Sequence, residues 1–285
     1  MSIQKIIGFL LLAVGICFGI AILVSAVRDK EIFRQENGRF SLFCLLETGI
    51  FFCATLGVSD YLLNTLVFRK LRVSDVKNLP GTNCACCLLP GAVIACFLLQ
   101  AENPVNLSTL IPCAAAIIVG AQVGSRLVRK LDGKVIKKAL GYALIASMVT
   151  LIIRIIVSRG TPGTLTGLSD GKLVIALVFS FLWGAFSMLG VPLKPAATAL
   201  FLLLGLSPLI TLTLLLVLGC VGPLGGGIPV LKGGRYSRKM TSAAATFGTL
   251  GAVIGSLLAL SMNAALLNVL LLVVMLIAII SLFRD

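Results

Sequence analysis

The sequence predicts an all-α polytopic membrane protein that is built from two inverted repeats. Its 285 residues are 59% hydrophobic and 12% charged, and the mean hydropathy is +1.11, which leaves too little polar surface for a water-soluble domain. Residues 56–68 recur in similar form at 189–201, and residues 120–127 are echoed at 251–258. Two halves with Gly and Pro breaks at matching places are typical of the architecture of secondary transporters.

About seven apolar runs are long enough to cross a bilayer as helices. The predicted spans are 5–27, 78–99, 107–127, 135–157, 208–228, 240–260 and 264–283. The first run precedes a Val-Ser-Ala sequence that resembles a signal-peptide cleavage site, but the run is longer than a usual signal core, so we expect it to be retained. We divide the chain into an extra amino-terminal span with its loop (1–41), repeat 1 (42–157), a linker (158–171) and repeat 2 (172–285).

Two further apolar segments, 42–68 and 172–204, are each interrupted by a break that contains Gly. The breaks fall at residues 57–60 and 190–192, and the arm after each break is too short to cross a bilayer. Each segment could complete one broken crossing, or it could turn back as a re-entrant hairpin. The simpler interpretation is that the breaks only kink two helices.

The positions of the basic residues favour two re-entrant hairpins. In that topology most Lys and Arg residues lie on one side of the membrane, whereas single crossings would share them equally between the sides. The positive-inside rule then places loops 69–77, 126–138 and 232–239 in the cytoplasm and inverts the second half relative to the first. Loop 28–40 also carries Asp and Glu, so its charge does not place it. We expect a multi-pass protein of the bacterial plasma (inner) membrane.

The composition excludes several classes of function. The net charge of +14 resides in short loops and not in a basic groove interleaved with aromatic residues, so no nucleic acid is expected as a partner. Histidine is absent, which removes imidazole from any metal site or catalytic triad. The spacing of Cys84 and Cys87 resembles a zinc motif but lacks a second pair of ligands. We therefore expect no metal, no cofactor and no enzymatic activity.

Two hairpins that enter from opposite faces should meet near the midplane of the membrane. Their half-helix amino termini would direct partial positive charge at a small anion, and hydroxyl and amide groups can replace water around an oxyanion. The predicted substrate-binding residues are Asn64, Thr65, Thr82, Asn83, Lys194 and Thr198. Lys194 could instead snorkel to an interface.

Two carboxylates and two thiols complete the candidate site. Asp60 and Glu47 could carry a coupled proton, because burial makes ionisation of a carboxyl group costly. Asp60 could instead cap the helix that follows it, and Glu47 could reach the lipid headgroups. Cys87 and Cys220 are equivalent under the repeat, so they could face each other as substrate-facing thiols.

Three motifs are similar to those of a known family. They are the small-residue helix 183–190 before a Pro-bearing hairpin, the turn 204–208, and Gly120-Ala121-x-x-Gly124-Ser125 followed by the basic stretch 126–138. On these motifs the chain resembles the TauE/SafE family of sulfite and organosulfur exporters over roughly 42–157 and 172–283. Members usually carry three glycines at the hairpin breaks, where this chain has residues 59–61 and 192–194. Gly120-x-x-x-Gly124 and its echo at 251–255 are helix-packing motifs.

The resemblance implies transport of small sulfur-containing anions such as sulfite, sulfonates or related organic acids. We therefore expect an alternating-access anion transporter whose substrate lies between the two hairpin tips. The partners expected are a small anionic substrate, the lipid bilayer and, as a further option, a second copy of the chain. Two alternatives are an anion channel and an intramembrane thiol redox protein that uses Cys84, Cys86 and Cys87.

Overall fold

A computed structural model of the chain describes residues 3–100, 105–128, 163–191 and 193–261. These ranges are almost entirely helical and contain no strand beyond one isolated bridge between Leu165 and Leu206. The all-α fold class is therefore confirmed. The predicted spans 135–157 and 264–283 lie outside the described residues.

The helices follow the predicted segments closely. In chain order they are α1 (Ile3–Arg28), α2 (Lys30–Gln35), α3 (Phe40–Thr55), α4 (Asp60–Lys70), α5 (Leu79–Gln100), α6 (Leu107–Val128), α7 (Asp170–Ser187), α8 (Lys194–Leu203), α9 (Pro208–Gly233), α10 (Arg238–Ala243) and α11 (Thr249–Ser261). A π-helical stretch, Ala244–Gly248, joins α10 to α11 as one span. Within these ranges, six helical stretches are long and apolar enough to cross a membrane. The protein is thus a multi-pass membrane protein.

The two ends of the first broken segment lie side by side. Asn37, just before α3, donates its backbone N–H to the carbonyl of Val73 (3.1 Å) and its side-chain amide to the carbonyl of Arg72 (2.8 Å). Both acceptors follow α4 in the chain, so α3 begins where α4 ends. The chain reverses at Gly57, whose φ of +89° suits glycine. Segment 40–70 is therefore a re-entrant hairpin and not a kinked crossing.

The second broken segment closes in the same way. The N–H of Leu165 donates to the carbonyl of Gly205 (3.1 Å), and the N–H of Ser207 donates to the carbonyl of Leu165 (3.0 Å). Leu165 precedes α7 and the other two residues follow α8. The 18 residues of α7 would suffice to cross a membrane by length alone, but the chain turns at Gly190 and returns to its starting side.

The two hairpins enter from opposite ends of the helical bundle. We call the end formed by residues 28–39, 71–77 and 234–239 the basic end, and the end formed by residues 105–106, 163–169 and 205–207 the far end. Glu36 joins the basic-end loops because its carboxylate accepts from the backbone N–H groups of Arg238 (2.7 Å) and Lys239 (2.8 Å). At the far end, the N–H of Asn106 donates to the carbonyl of Thr166 (3.1 Å).

Helix direction follows from these ends. Helix α5 runs from the basic end to the far end and α6 returns, whereas α9 runs from the far end to the basic end and the α10–α11 span returns. The second half is therefore inverted relative to the first. Helices α5 and α9 form the largely buried centre, and α1 and α7 present exposed apolar side chains suited to lipid.

Small residues let each hairpin arm pack on the opposite repeat. A Cβ on Gly120 would overlap the carbonyl of Phe181 in α7, and a Cβ on Gly251 would overlap the carbonyl of Thr48 in α3. In each half, the last helix that the structure describes (α6 or α11) thus packs on the long hairpin arm of the other half. This confirms that the two Gly-x-x-x-Gly sequences are packing motifs.

Proline residues in α9 free two backbone carbonyls inside the bundle, and side chains from neighbouring helices bind them. Pro223 lacks the N–H that would bind Gly219, and the Cys87 thiol donates to that carbonyl (3.8 Å). Pro229 likewise frees the carbonyl of Gly225, which accepts from the Gln122 side-chain amide. Such bonds are needed because lipid supplies no partners for backbone groups.

Candidate functional site

The two hairpin tips meet through an ion pair. Asp60 is the first residue of α4 and Lys194 is the first residue of α8, and the Lys194 ammonium donates to Asp60 Oδ1. Only 1% of the Asp60 side chain and 12% of the Lys194 side chain are exposed. The capping role falls to Ser59, whose hydroxyl accepts from the N–H of Leu62 (3.4 Å). The expectations that Asp60 caps its helix and that Lys194 could snorkel are therefore wrong.

The Lys194 side chain fits here because α9 has glycine at the contact. A Cβ on Gly219 would lie 3.0 Å from Lys194 Cε, a tight contact that the lysine side chain would have to relieve by moving. Two small cavities adjoin the ion pair, each with a volume of about 10 Å³. That volume accommodates roughly one water molecule. The centre is therefore closed, with its charge compensated from within the protein.

Two of the predicted polar residues, Thr65 and Asn83, lie together between α4 and α5. The Asn83 side-chain amide donates to the Thr65 hydroxyl (2.9 Å) and to the carbonyl of Tyr61 (3.4 Å). Asn64 is fully buried, and neither its Nδ2 nor its Oδ1 has a hydrogen-bond partner among the described residues. Because an unpaired buried amide is costly, this position suits a bound solute or water.

Cys87 and Cys220 lie near each other, as the repeat predicts. Both border one of the small cavities, together with Asp60 and Lys194. A Cβ on Gly91 would lie 2.8 Å from Cys87 Sγ and 3.5 Å from Cys220 Cβ, so the absence of a side chain there leaves room for both. The two thiols thus adjoin the ion pair on the side of α5 and α9.

Glu47 is fully buried two helical turns into α3. The alternative that Glu47 reaches the lipid headgroups is therefore wrong. Its Oε1 accepts from the Cys86 thiol at 3.9 Å, and its Oε2 has no partner among the described residues. Unlike Asp60, Glu47 therefore has no cation beside it in the described part of the chain. A buried carboxyl group without a cation is expected to be neutral.

Two predicted binding residues serve the backbone. The Thr82 hydroxyl donates to the carbonyl of Asn78 (2.8 Å) and accepts from the N–H of Ser237 (2.9 Å), which ties α5 to the loop before α10. Thr82 therefore lies apart from the ion pair. The Thr198 hydroxyl donates to the carbonyl of Lys194 (2.9 Å), and the residue is buried, so Thr198 borders the tip through its own helix.

Sequence reasoning did not single out three residues that line the other small cavity. Tyr61, Trp183 and Ser187 surround it together with Lys194. The Tyr61 hydroxyl is buried without a partner among the residues described. A usable signal was present, because Tyr61 is the repeat equivalent of Lys194 and Trp183 is the single tryptophan of the chain.

The three clustered thiols point to different partners. Cys84 donates to the carbonyl of Pro223 (3.7 Å), Cys86 to Glu47 and Cys87 to Gly219. Among the described residues, no three His, Cys, Asp or Glu side chains are placed to hold a metal ion. The thiols therefore act as packing groups and weak donors here, and this arrangement does not favour the redox alternative.

These features define a class of protein. A helical membrane bundle whose two oppositely directed hairpins meet at a buried ion pair has the architecture of a secondary transporter. The sequence model of the family described as Sulfite exporter TauE/SafE matches residues 1–151, which is more than half of the chain. The protein belongs to this family of membrane transporters, whose members are not enzymes.

The residues that match the family model differ from the ranges that the motifs indicated, which were roughly 42–157 and 172–283. The match begins at residue 1 and so includes α1, which the motifs left outside the shared pattern, and it ends at residue 151. The comparisons find no matching curated relative and no matching solved structure.

Proposed function

We propose that the protein transports a small sulfur-containing anion by alternating access, with the anion bound where the two hairpin tips meet. The sulfur-containing class of substrate rests on membership of the family. The site residues in this proposal are Asn64, Thr65, Asn83, Lys194 and Thr198, with the thiols of Cys87 and Cys220 beside them. The membrane is the bacterial plasma membrane, and the basic end faces the cytoplasm.

The observation that carries this proposal is the buried Lys194 at the point of convergence. A lysine deep in a membrane protein is costly unless a counter-charge accompanies it, so it marks a functional site. Helices α4 and α8 both begin at this point, and their amino termini add partial positive charge. An anion placed here would meet an ammonium group and two helix termini.

Alternating access is supported by the inverted halves and by an open cavity at the basic end. This cavity of about 180 Å³ is lined by Lys77, Ser125, Met188 and Arg235, among other residues. Met188 precedes the second hairpin tip and adjoins Ser187, which lines the small cavity at the ion pair. A cationic vestibule thus lies between the basic end and the second hairpin tip, as expected for a conformation that opens to one side.

Flux measurements in proteoliposomes test this proposal. We expect Lys194→Gln to weaken sulfite, thiosulfate or sulfonate binding about 100-fold, or ~2.7 kcal/mol, because bonds to charged groups contribute ~1.5–3 kcal/mol. The double variant Asp60→Asn/Lys194→Gln removes both charges and so separates lost binding from the cost of an unpaired buried carboxylate. Lys232→Gln, at an exposed lysine of α9, is the matched control.

Two outcomes would contradict the proposal. Unchanged flux in the double variant would remove the ion pair from the anion site. Conduction that does not saturate and shows no counterflow would identify a channel instead.

A further inference from the structure

The Lys194–Asp60 pair leaves no spare charge for a transported anion. Asp60 Oδ1 accepts from Lys194, and Oδ2 is buried without a partner among the described residues. The pair is neutral as a unit. An anion that bound to Lys194 while Asp60 stayed ionised would leave a net negative charge in a closed, poorly solvated centre, which is strongly unfavourable.

The groups around Asp60 do not compensate for such a charge. The titratable side chains that face it are Lys194 of α8, Glu47 of α3, Tyr61 of α4, Cys86 and Cys87 of α5, and Cys220 of α9. Lys194 is the one cation in this group of described residues. A second negative charge can therefore be balanced only by a cation from outside, and a proton on a carboxyl group meets this need without requiring additional space.

Protonation of Asp60 would both release the Lys194 ammonium and keep the centre neutral when an anion binds. A neutral carboxylic acid attracts the Lys194 ammonium much less than a carboxylate does, so the ammonium becomes available to the anion. The sum of Lys194, a monovalent anion and neutral Asp60 is again zero. Anion and proton therefore assist each other's binding, because either one alone leaves the centre charged.

We propose that Asp60 is an internal anion that occupies Lys194 in the empty site, and that each transported anion replaces it together with one proton. A proton adds to the Asp60 carboxylate, the bond from Lys194 to Asp60 breaks, and the ammonium binds the anion. On the other side the anion leaves, Asp60 returns its proton to water, and the ion pair forms again. This inference deepens the proposed transport function and rests on it.

Glu47 is placed to relay the proton. It lies on α3 between the basic end, where this helix starts, and the hairpin tip. Its carboxyl group is buried with Oε2 unpartnered among the described residues, and its charge would interact with that of Asp60. The unpartnered amide atoms of Asn64 and Asn83 on the neighbouring helices can hold the water that a relay requires.

Coupling to one proton determines which gradients set the direction of net anion transport. A monovalent anion that moves with one proton carries no net charge, so the membrane potential does not drive it. Net flux then follows the sum of the anion and proton gradients. Where the proton gradient points inward, this coupling favours uptake, and export requires an outward anion gradient that exceeds it.

Proteoliposomes that contain the pH dye pyranine test the coupling. Methanesulfonate and thiosulfate are suitable probes, because neither carries a titratable proton near neutral pH. Methanesulfonate is monovalent and gives the proton count, whereas thiosulfate is divalent and serves only to detect anion entry. We expect labelled methanesulfonate to enter with about one proton per anion, at a rate that a valinomycin-imposed potential does not change. Anion uptake that depends on the potential and leaves the internal pH constant would overturn the coupling and leave the transport function intact. Failure of both anions to enter would count against the transport function itself, and the coupling would fall with it.

Variants locate the coupling in the structure. Asp60→Asn should still admit the anion, but the ratio of protons to anions should fall from about one to near zero, and the flux should become sensitive to the potential. Asp75→Asn, at an exposed carboxylate of the basic end, is the matched control and should keep the ratio. A ratio near one in Asp60→Asn would overturn the assignment.

Flux measurements on Glu47→Gln test the proton relay even if the Asp60 variant fails to fold. We expect coupled flux at neutral pH to fall about tenfold while equilibrium anion affinity stays within twofold. Unchanged coupled flux in Glu47→Gln would remove Glu47 from the relay.

Discussion

At the scale of single residues, the buried polar side chains of the bundle are of two kinds, those with a partner and those without one. Lys194 and Asp60 are 134 residues apart and neutralise each other at the tips of two hairpins. Asn64, one helical turn after Asp60, has no such partner among the described residues. Because apolar surroundings penalise unpaired polar atoms, Asn64 costs stability, and we propose that the position is kept for anion binding.

Asn64→Leu tests this interpretation. Replacing an unsatisfied buried amide with an apolar side chain of similar shape should raise the free energy of unfolding by ~1 kcal/mol. The same change should weaken anion binding at least about tenfold, which is ~1.4 kcal/mol. Thermal unfolding with and without thiosulfate measures both effects, because a ligand stabilises the folded state that binds it. Lower stability with unchanged binding would contradict the account.

The acidic residues of loop 28–40 act at the basic end and not at the centre. Asp29 accepts from Arg238 Nε (3.1 Å) and Nη2 (2.9 Å). The hydrogen bond from Arg238, with a smaller contribution from Arg28, holds the pKa of Asp29 below its usual value of 3.8. The acidic residues therefore place this loop beside 234–239, which the sequence alone could not decide.

Asp29→Asn should have an effect that depends on pH. A carboxyl group whose pKa is lowered by folding stabilises the folded state above its usual pKa, and this stabilisation is lost as the pH falls through the lowered value. The melting temperature of the natural protein should therefore exceed that of Asp29→Asn near neutral pH. The gap should begin to narrow as the pH falls below about 4 and should close as the pH passes the lowered pKa. A gap that stays constant down to pH 3 would show that the Asp29 carboxylate does not contribute through its charge.

At the scale of secondary-structure elements, the two hairpins could be predicted and their contact could not. The repeat and the loop charges predicted two re-entrant segments, and the hydrogen bonds at Asn37 and Leu165 confirm them. The repeat makes Lys194 the equivalent of Tyr61 but does not indicate its partner, which in the structure is Asp60. Which side chains meet depends on the rotation of each short helix about its axis, and sequence spacing does not fix that rotation.

The packing of the hairpin arms gives a matched test at this scale. A Cβ on Gly251 would overlap the Thr48 carbonyl across the α11–α3 contact, whereas a Cβ on the neighbouring Gly49 meets nothing within 4 Å. Gly251→Ala should lower the free energy of unfolding by ~1–3 kcal/mol through overpacking. Gly49→Ala should be neutral or stabilise by up to ~1 kcal/mol, because alanine favours the helix. Equal effects of the two changes on detergent-solubilised stability would contradict this view of the contact.

At the scale of the whole molecule, inversion explains how one anion site could face two sides. Each half places its hairpin at its own end of the bundle, and α6 or α11 of that half packs on the hairpin arm of the other half. The centre is closed in this structure, with a cationic vestibule open at the basic end. A transition between two arrangements of these contacts that are related by the pseudo-twofold axis would close the vestibule and open its counterpart at the far end.

The central claim is that both ends of each hairpin lie on one side of the membrane, with the two hairpins on opposite sides. Cysteine substitutions in a cysteine-free background, labelled with an impermeant maleimide in vesicles of known orientation, test it most directly. Gln35→Cys and Asp75→Cys flank the first hairpin, and Thr164→Cys and Pro208→Cys flank the second. The account predicts that the first two sites label only from the cytoplasmic side and the last two only from the opposite side. Labelling of Gln35→Cys and Asp75→Cys from different sides would contradict the hairpin, and with it the proposed anion site.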